Sequence, residues 1–223
     1  MRTFLTLSFV FSCLLSLQGQ AVAASVCDAT AGNLVANCGF ETGDFTSWTL
    51  TGNDTPLSEG VLYGVEAGAD PVDGIVPHSG DNQAFFADLV ANETTLSQLI
   101  ATIAGDTYAI SFYVAQDTAP GGLCGPVLCT NQLSASFDGT LLTNLSAVPV
   151  EGYTSYSFVD TATDASSALD ITLGNDLGEF LLDDVVVTDT TPAATPEPSA
   201  WILMLAACVI TGMAAKKFRR AEA

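Results

Sequence analysis

The chain has 223 residues, of which 25 are acidic and only five are basic, so its formal net charge is −20. The five basic residues lie at position 2 and within 216–220, and the 25 acidic residues less Glu197 and Glu222 leave 23 between residues 25 and 191. A surface this negative excludes nucleic acid and anionic membranes as partners. Clustered carboxylates in that stretch must be solvated, protonated or bound to a metal ion, since no Lys or Arg can pair with them.

The first 24 residues have the pattern of a secretory signal peptide. Arg2 supplies the positive charge, residues 4–17 are apolar, and residues 21–24 (AVAA) are small enough for signal peptidase. Cleavage after Ala23 or Ala24 would leave a mature domain over residues 25–191. A chain of that length can bury about 70% of its unfolded surface, which predicts one domain with a real core.

Apolar and polar residues alternate with a period of two in the mature stretch, which predicts strands with one buried face. Gly, Asn, Asp and Pro fill the gaps, and Asp138-Gly139 predicts a hairpin turn. About ten short strands without an amphipathic helix predict an all-β antiparallel sandwich or barrel. The predicted strands are 34–37, 48–51, 61–65, 84–89, 96–101, 108–114, 133–137, 155–159, 169–173 and 180–188.

Four cysteines belong to the mature stretch: Cys27, Cys38, Cys124 and Cys129. In an exported protein four cysteines favour two disulfides over a metal site. The mature stretch contains no Cys-x-x-Cys pair, which a zinc site would be expected to have. Three connectivities are possible. The local pairs Cys27–Cys38 and Cys124–Cys129 are favoured.

The C-terminal segment has three blocks in a fixed order. Residues 192–198 form a linker that ends in Pro196-Glu197-Pro198, and residues 199–215 contain no charge. Seventeen apolar residues are at the lower limit for a transmembrane helix. The basic cluster in 216–223, which includes Arg219 and Arg220, favours the cytoplasmic side and places the mature domain outside.

This order of blocks resembles the PEP-CTERM sorting signal of exported bacterial proteins. The resemblance implies that an exosortase-type membrane protease recognises Pro196-Glu197-Pro198 and removes the span, which holds the chain in the inner membrane until then. The protein would afterwards lie at the cell surface or in the extracellular matrix. The alternative is an ordinary C-terminal membrane anchor.

Two motifs at opposite ends of the mature stretch indicate a more specific fold. Residues 33–41 (NLVANCGFE) are followed by Trp48, and residues 180–187 read FLLDDVVV. Together with His78-Ser79-Gly80 and the segment 105–108, they resemble the jelly-roll superfamily of carbohydrate-binding modules, which has a galactose-binding-like sandwich. Cys38 departs from that pattern, which commonly has a second glycine there. The departure supports the Cys27–Cys38 pair.

One acidic residue of the last predicted strand points to a metal ion. Counting by twos places Asp183 on the same face as Val185 and Val187, where an ionised carboxylate needs a compensating cation. Calcium, which binds carboxylate and carbonyl oxygens, would satisfy it. The resemblance implies a structural calcium with Glu41 and Asp183 as side-chain ligands. The alternative is that Asp183 lies at the exposed start of the strand and binds water.

Aromatic residues are the candidates for stacking on sugar rings. Tyr113 is the best of them because it lies opposite Phe112 in the alternation, and Tyr63 is the second. Two further tyrosines, Tyr153 and Tyr156, are also candidates. The other aromatic residues of the strands are expected in the core: Trp48, Phe85, Phe112, Phe137 and Phe158.

The two resemblances imply a non-enzymatic surface or matrix protein with polysaccharide as its expected partner. His78, the only histidine, lies in a Pro-His-Ser-Gly turn and has no G-x-S-x-G partner motif. Two alternatives stay open. One is a purely structural or adhesive protein without a glycan site, and the other is a calcium-dependent glycoside hydrolase that uses two of the many carboxylates.

Overall fold

Strands dominate the computed structural model, which describes residues 24–52, 63–71, 74–87, 93–117, 130–176 and 178–192. One helical turn comes first: α1 (Val26–Ala29). The strands that follow are β1 (Thr49–Gly52), β2 (Tyr63–Ala67), β3 (Asn82–Phe86), β4 (Thr94–Ala101), β5 (Thr107–Gln116), β6 (Asn131–Phe137), β7 (Thr140–Ser146), β8 (Glu151–Thr161), β9 (Ser166–Asn175) and β10 (Phe180–Asp189).

The strands form two five-stranded sheets. The first sheet has the order β1-β4-β9-β6-β7 and the second has the order β2-β3-β10-β5-β8. Every pair of neighbours is antiparallel. Apart from the hairpins β2–β3 and β6–β7, each connection passes from one sheet to the other. The predicted antiparallel sandwich is therefore confirmed.

The period-two alternation of the sequence becomes the core between the sheets. In β5, Tyr108, Ile110, Phe112 and Val114 are all buried, while the residues between them face away from the core. The strands β6 and β9 alternate in the same way. Burial of one face of each strand, at about 25 cal/mol per Å² of apolar surface, is the main stabilising contribution to such a sandwich.

The first predicted strand, Leu34–Asn37, is wrong. This segment is a turn region in which the amide of Leu34 donates to the carbonyl of Val187 (2.9 Å). Asn37 has a φ of 50°, which a strand does not allow. Its side-chain amide donates to the carbonyls of Asp44 and Thr46, so it organises the following loop instead.

Strand β7 is absent from the predicted set, although the turn before it was expected. Asp138 and Gly139 have φ values of 51° and 78°, the left-handed pair that a tight hairpin turn requires. The turn therefore returns the chain along β6 as β7, whose alternation is weak because most of its residues are exposed.

The expected disulfide between Cys27 and Cys38 is present, with a Cα–Cα distance of 6.0 Å. Both cysteines are buried, and Cys27 belongs to α1, which the sequence pattern did not predict. The disulfide thereby attaches this single helical turn to the loop before β1. It closes a sequence separation of 11 residues, for which loop-closure entropy predicts about 3 kcal/mol of stabilisation.

Four predictions concern residues outside the described ones. They are the signal peptide, the Cys124–Cys129 pair, the sorting motif at 196–198 with the span 199–215, and the basic tail 216–223. Among the described residues, no helix is long and apolar enough to cross a membrane. Described residues up to Asp189 belong to one compact unit, and residues 190–192, which belong to a second, contain no helix or strand.

Candidate functional site

The face of the second sheet that points away from the core, here called the outer face, carries an apolar row across four strands. Gly64 pairs with Phe85, Phe85 with Leu181, and Leu181 with Ala115. Paired residues of antiparallel strands point to the same side of a sheet. Leu181 and Ala115 are fully buried although they face away from the core, so other residues cover this part of the outer face.

Phe85 corrects an expectation, because it is not a core residue. Its neighbours Ala84 and Phe86 are buried in the core, whereas Phe85 is half-buried on the outer face. A Cβ atom at position 64 would lie 2.6 Å from Cε1 of Phe85, so the ring lies directly over the backbone of Gly64. The missing side chain of Gly64 lets an aromatic ring rest on the strand beside it. Alternation around Ala84 and Phe86 was the sequence signal that could have identified it.

Tyr113 lies on the outer face, where its alternation with Phe112 and Val114 places it. Its ring is stacked against that of His78, with 3.6 Å between the ring centroids and 18° between the planes. One face of Tyr113 is therefore in contact with a protein side chain. Tyr63 points to the other side of the sheet, where it packs on the core and lies 6.2 Å from the ring of Phe45. The two predicted sugar-binding tyrosines thus do not share a surface.

Tyr153 takes a more central position than the sequence suggested. Its hydroxyl donates to Oε1 of Gln83 (2.7 Å), and the side-chain amide of Gln83 donates to Glu66 (2.7 Å) and to the carbonyl of Ile75 (3.1 Å). Burial, followed by the charge of Asp183, raises the pKa of Tyr153 above its usual value, so its hydroxyl keeps the proton. A chain of hydrogen bonds therefore crosses the outer face next to Phe85.

Three carboxyl groups meet beside this chain. Oxygens of Glu66, Asp70 and Glu179 lie within 4.8 Å of one another, and Asp70 is buried. Burial raises the pKa of Glu179 to about 9, and a hydrogen bond with Asp70 and the charge of Asp117 act in the same direction. Burial also raises the pKa of Glu66. A proton between Glu179 and Asp70 therefore reduces the negative charge of this group, where no nearby Lys or Arg is available to do so.

The position of Asp183 corrects the period-two prediction. Asp183 pairs with Tyr113 and Val187 pairs with Ile110, so the two side chains lie on opposite faces of β10. A β-bulge between Asp183 and Val186 inserts one residue, and Asp184 within it has a φ of 49°. Asp183 is nevertheless fully buried, because residues 75–79, here called the covering segment, lie over it.

Asp184 is buried as well and forms hydrogen bonds with residues from two distant parts of the chain. Its carboxylate accepts from the amide of Cys27 (2.9 Å) and from the hydroxyl of Ser79 (2.6 Å), and it lies 2.6 Å from Nδ1 of His78. His78 was expected to be an ordinary turn residue. Its hydrogen bond with Asp184 and its stacking on Tyr113 instead hold the covering segment on the outer face.

Glu41 and Asp183, the predicted calcium ligands, bind the same turn. Glu41 accepts from the amides of Asp81 (3.1 Å) and Asn82 (3.3 Å), and Asp183 accepts from the amide of Ser79 (3.1 Å). A Cβ atom at position 80 would lie 1.9 Å from Oε1 of Glu41, so only glycine fits between them.

Burial raises the pKa of Asp183 to about 8, and the charges of Asp184 and Glu41 add to the effect. Two carboxylates that repel each other across a glycine turn fit a hard divalent cation. They would supply only part of its shell, and neither belongs to a described group of three potential metal ligands within 4.8 Å.

The sequence matches no family model and no curated protein. Solved structures of similar fold include TmCBM61 in complex with β-1,4-galactotriose, at 19% identity over 70% of this chain and 98% of that chain, with a TM-score of 0.48. A CBM4 structure has 18% identity over 70% and 99%, with a TM-score of 0.42. The second family 16 carbohydrate-binding module has 14% identity over 70% and 99%, with a TM-score of 0.44. These neighbours are carbohydrate-binding modules, and the likeness concerns the fold.

The raised pKa values predict that stability falls as the pH rises. Glu179, with a pKa of about 9 when folded and an ordinary value of 4.5, contributes stability that is fully present below pH 4.5 and lost as the pH rises through 9. Glu179→Gln, which resembles the protonated acid, should match the wild type at pH 5 and melt several degrees higher at pH 9. Thermal melts in EDTA across this range measure the difference. Glu151→Gln, at an exposed position, is the control, and a wild-type slope in Glu179→Gln would contradict the assignment.

Proposed function

We propose that this chain is an exported surface or matrix protein that binds polysaccharide on the outer face of its second sheet without altering it chemically. The observation that carries the proposal is the half-buried ring of Phe85, which lies over Gly64 on the outer face rather than in the core. Aromatic rings next to polar side chains are the usual elements of sugar-binding sites.

The polar groups beside Phe85 suit a ligand with many hydroxyl groups. Glu66 lies two residues from Gly64 on the same face of β2, and its carboxylate accepts from Gln83. Glu179, which is half-buried and holds a proton at neutral pH, adds a further polar group beside it, whereas Asp70 is buried. A pyranose ring could stack its C–H face on Phe85 while its hydroxyls donate to these oxygens.

The acidic group favours binding over hydrolysis. Glycoside hydrolysis needs two carboxyl groups at least 5 Å apart, with the glycosidic bond or a water molecule between them. Asp70 and Glu179 are hydrogen-bonded to each other, which leaves no room for either. His78, the one imidazole, is paired with the buried Asp184. The structural or adhesive alternative differs from our proposal in predicting no glycan ligand.

Phe85→Ala should weaken binding to the best ligand of a glycan array at least tenfold, about 1.4 kcal/mol, because the stacking surface is removed. The exported protein is screened on the array, and the affinity for the selected glycan is then measured by calorimetry. Leu99→Ala is the matched control, since Leu99 is 74% exposed and belongs to the first sheet. Equal losses in the two variants, or no glycan bound by the wild type, would reject the site.

We also propose that calcium stabilises the fold through Glu41 and Asp183. The ion would neutralise two carboxylates that approach the same turn from different parts of the chain, and it would join the N-terminal loop to β10. Its role is structural, because both side chains lie next to the covering segment and not beside Phe85.

Calcium at 100 times its dissociation constant should raise the melting temperature by about 5–10 °C, and EDTA should reverse the shift. Glu41→Gln should abolish this response, because it removes one charge from the site. Glu66→Gln, which alters the other acidic group, should keep it. If the rise in melting temperature were lost in Glu66→Gln and kept in Glu41→Gln, the ion would bind at Glu66, Asp70 and Glu179 instead. If calcium did not change the melting temperature of the wild type, calcium binding would be rejected.

The surface location is supported by the order of the three C-terminal blocks in the sequence, and exosortase-type processing is part of the proposal. Replacing Pro196, Glu197 and Pro198 by alanine should leave an unprocessed chain in the inner membrane. Cell fractionation and the mass of the mature protein measure this. Replacing Thr191, Pro192 and Ala193 instead is the control, and unchanged processing of the first variant would reject the sorting signal.

A further inference from the structure

The first described residues of the chain are held against an acidic side chain. Ser25 is fully buried, its hydroxyl donates to Oδ2 of Asp28 (2.8 Å), and the amide of Asp28 donates back to Ser25 Oγ (3.2 Å). Reciprocal arrangements of this kind turn an acidic side chain back toward the residue three positions earlier. The Asp28 carboxylate therefore lies next to the point where residue 25 enters the domain.

The next two amides fix this segment in place. The amide of Val26 donates to the hydroxyl of Ser79 (2.7 Å), and that of Cys27 donates to the buried carboxylate of Asp184 (2.9 Å). The Cys27–Cys38 disulfide attaches the segment covalently. The position of Ser25 relative to Asp28 is consequently set by the hydrogen bonds between these two residues and by the contacts of Val26 and Cys27.

The charge balance of the chain leaves Asp28 without a side-chain cation. No Lys or Arg occurs between residues 3 and 215, and the single histidine, His78, is hydrogen-bonded to Asp184. A free α-amino group has a pKa near 8 and is mostly protonated at neutral pH. Removal of the predicted signal peptide after Ala23 or Ala24 would create one at the entrance to this segment.

We propose that the α-amino group of Ala24 or Ser25, produced by cleavage after Ala23 or Ala24, pairs with the Asp28 carboxylate and stabilises the N-terminal segment. In the unprocessed chain the same nitrogen is an uncharged amide. A charged donor makes a stronger hydrogen bond to a carboxylate than an amide does, so processing adds an ion pair that the precursor lacks. This inference rests on the proposed export of the chain and is independent of glycan binding.

Selective acetylation of the exported, processed protein tests the pair. The lysines of the chain are Lys216 and Lys217, which belong to the tail that the proposed sorting step removes, so in the processed protein a mild acetylating reagent modifies the α-amino group. Sequencing should give Ala24 or Ser25 as the first residue. Acetylation should lower the melting temperature by about 2–4 °C in the wild type, and by less than a third of that in Asp28→Asn.

Two further variants distinguish the pair of the α-amino group with Asp28 from other effects of acetylation. Asp138→Asn alters another capping carboxylate, which accepts from the amide and hydroxyl of Thr163, and should keep the full acetylation effect. Insertion of Gly-Ser between Ala24 and Ser25 moves the amino group away without changing Asp28, and should remove the effect. A different first residue, or an equal loss in the wild type, Asp28→Asn and the insertion variant, would overturn the proposal.

Discussion

Two adjacent buried carboxylates in a chain without a nearby lysine or arginine are the constraint on which the structure depends. Asp183 and Asp184 are almost completely buried, and an unpaired ion in such a place would cost several kcal/mol. The fold meets this cost with donors from distant segments. Backbone amides of Cys27 and Ser79, the Ser79 hydroxyl and the His78 ring all reach the pair. Strand β10, the N-terminal segment and the loop before β3 are therefore stabilised by the same two residues.

This arrangement also shapes the candidate site. The loop that ends at Ser79 places His78 on Tyr113 and brings the carbonyl of Ile75 to the amide of Gln83. Tyr113 is thereby partly covered, while Phe85 remains half-buried on the same outer face. The loop that the aspartate pair holds in place therefore also sets how much of the outer face is covered.

The buried faces of strands with regular alternation of apolar and polar residues could be predicted from the sequence, whereas local departures from that alternation could not. The alternation of β5 and β9 identified their buried faces because an uninterrupted pleat keeps a period of two. The bulge at Asp184 shifts that period by one residue, and nothing in FLLDDVVV marks it. Phe85 was assigned to the core because most aromatic residues in sandwiches are buried. Alternation with Ala84 and Phe86 gives the face on which Phe85 lies, but the way its ring rests on β2 depends on Gly64, a partner 21 residues away whose lack of a side chain matters only once β2 and β3 pair.

The absence of cations that constrains the fold also determines which ligands suit the outer face. Glu66 offers acceptor oxygens at this face, whereas Asp70 is buried beside it and the hydroxyl of Tyr153 already donates to Gln83. The described residues of this face include no lysine or arginine to bind carboxylated or sulfated ligands, whereas sugar hydroxyls can donate to the oxygens of Glu66. The aromatic ring of Phe85 adds attraction that does not depend on charge. An acceptor-rich face beside an aromatic platform therefore favours hydroxyl-rich ligands, for the same physical reason that makes the aspartate pair of β10 depend on backbone donors.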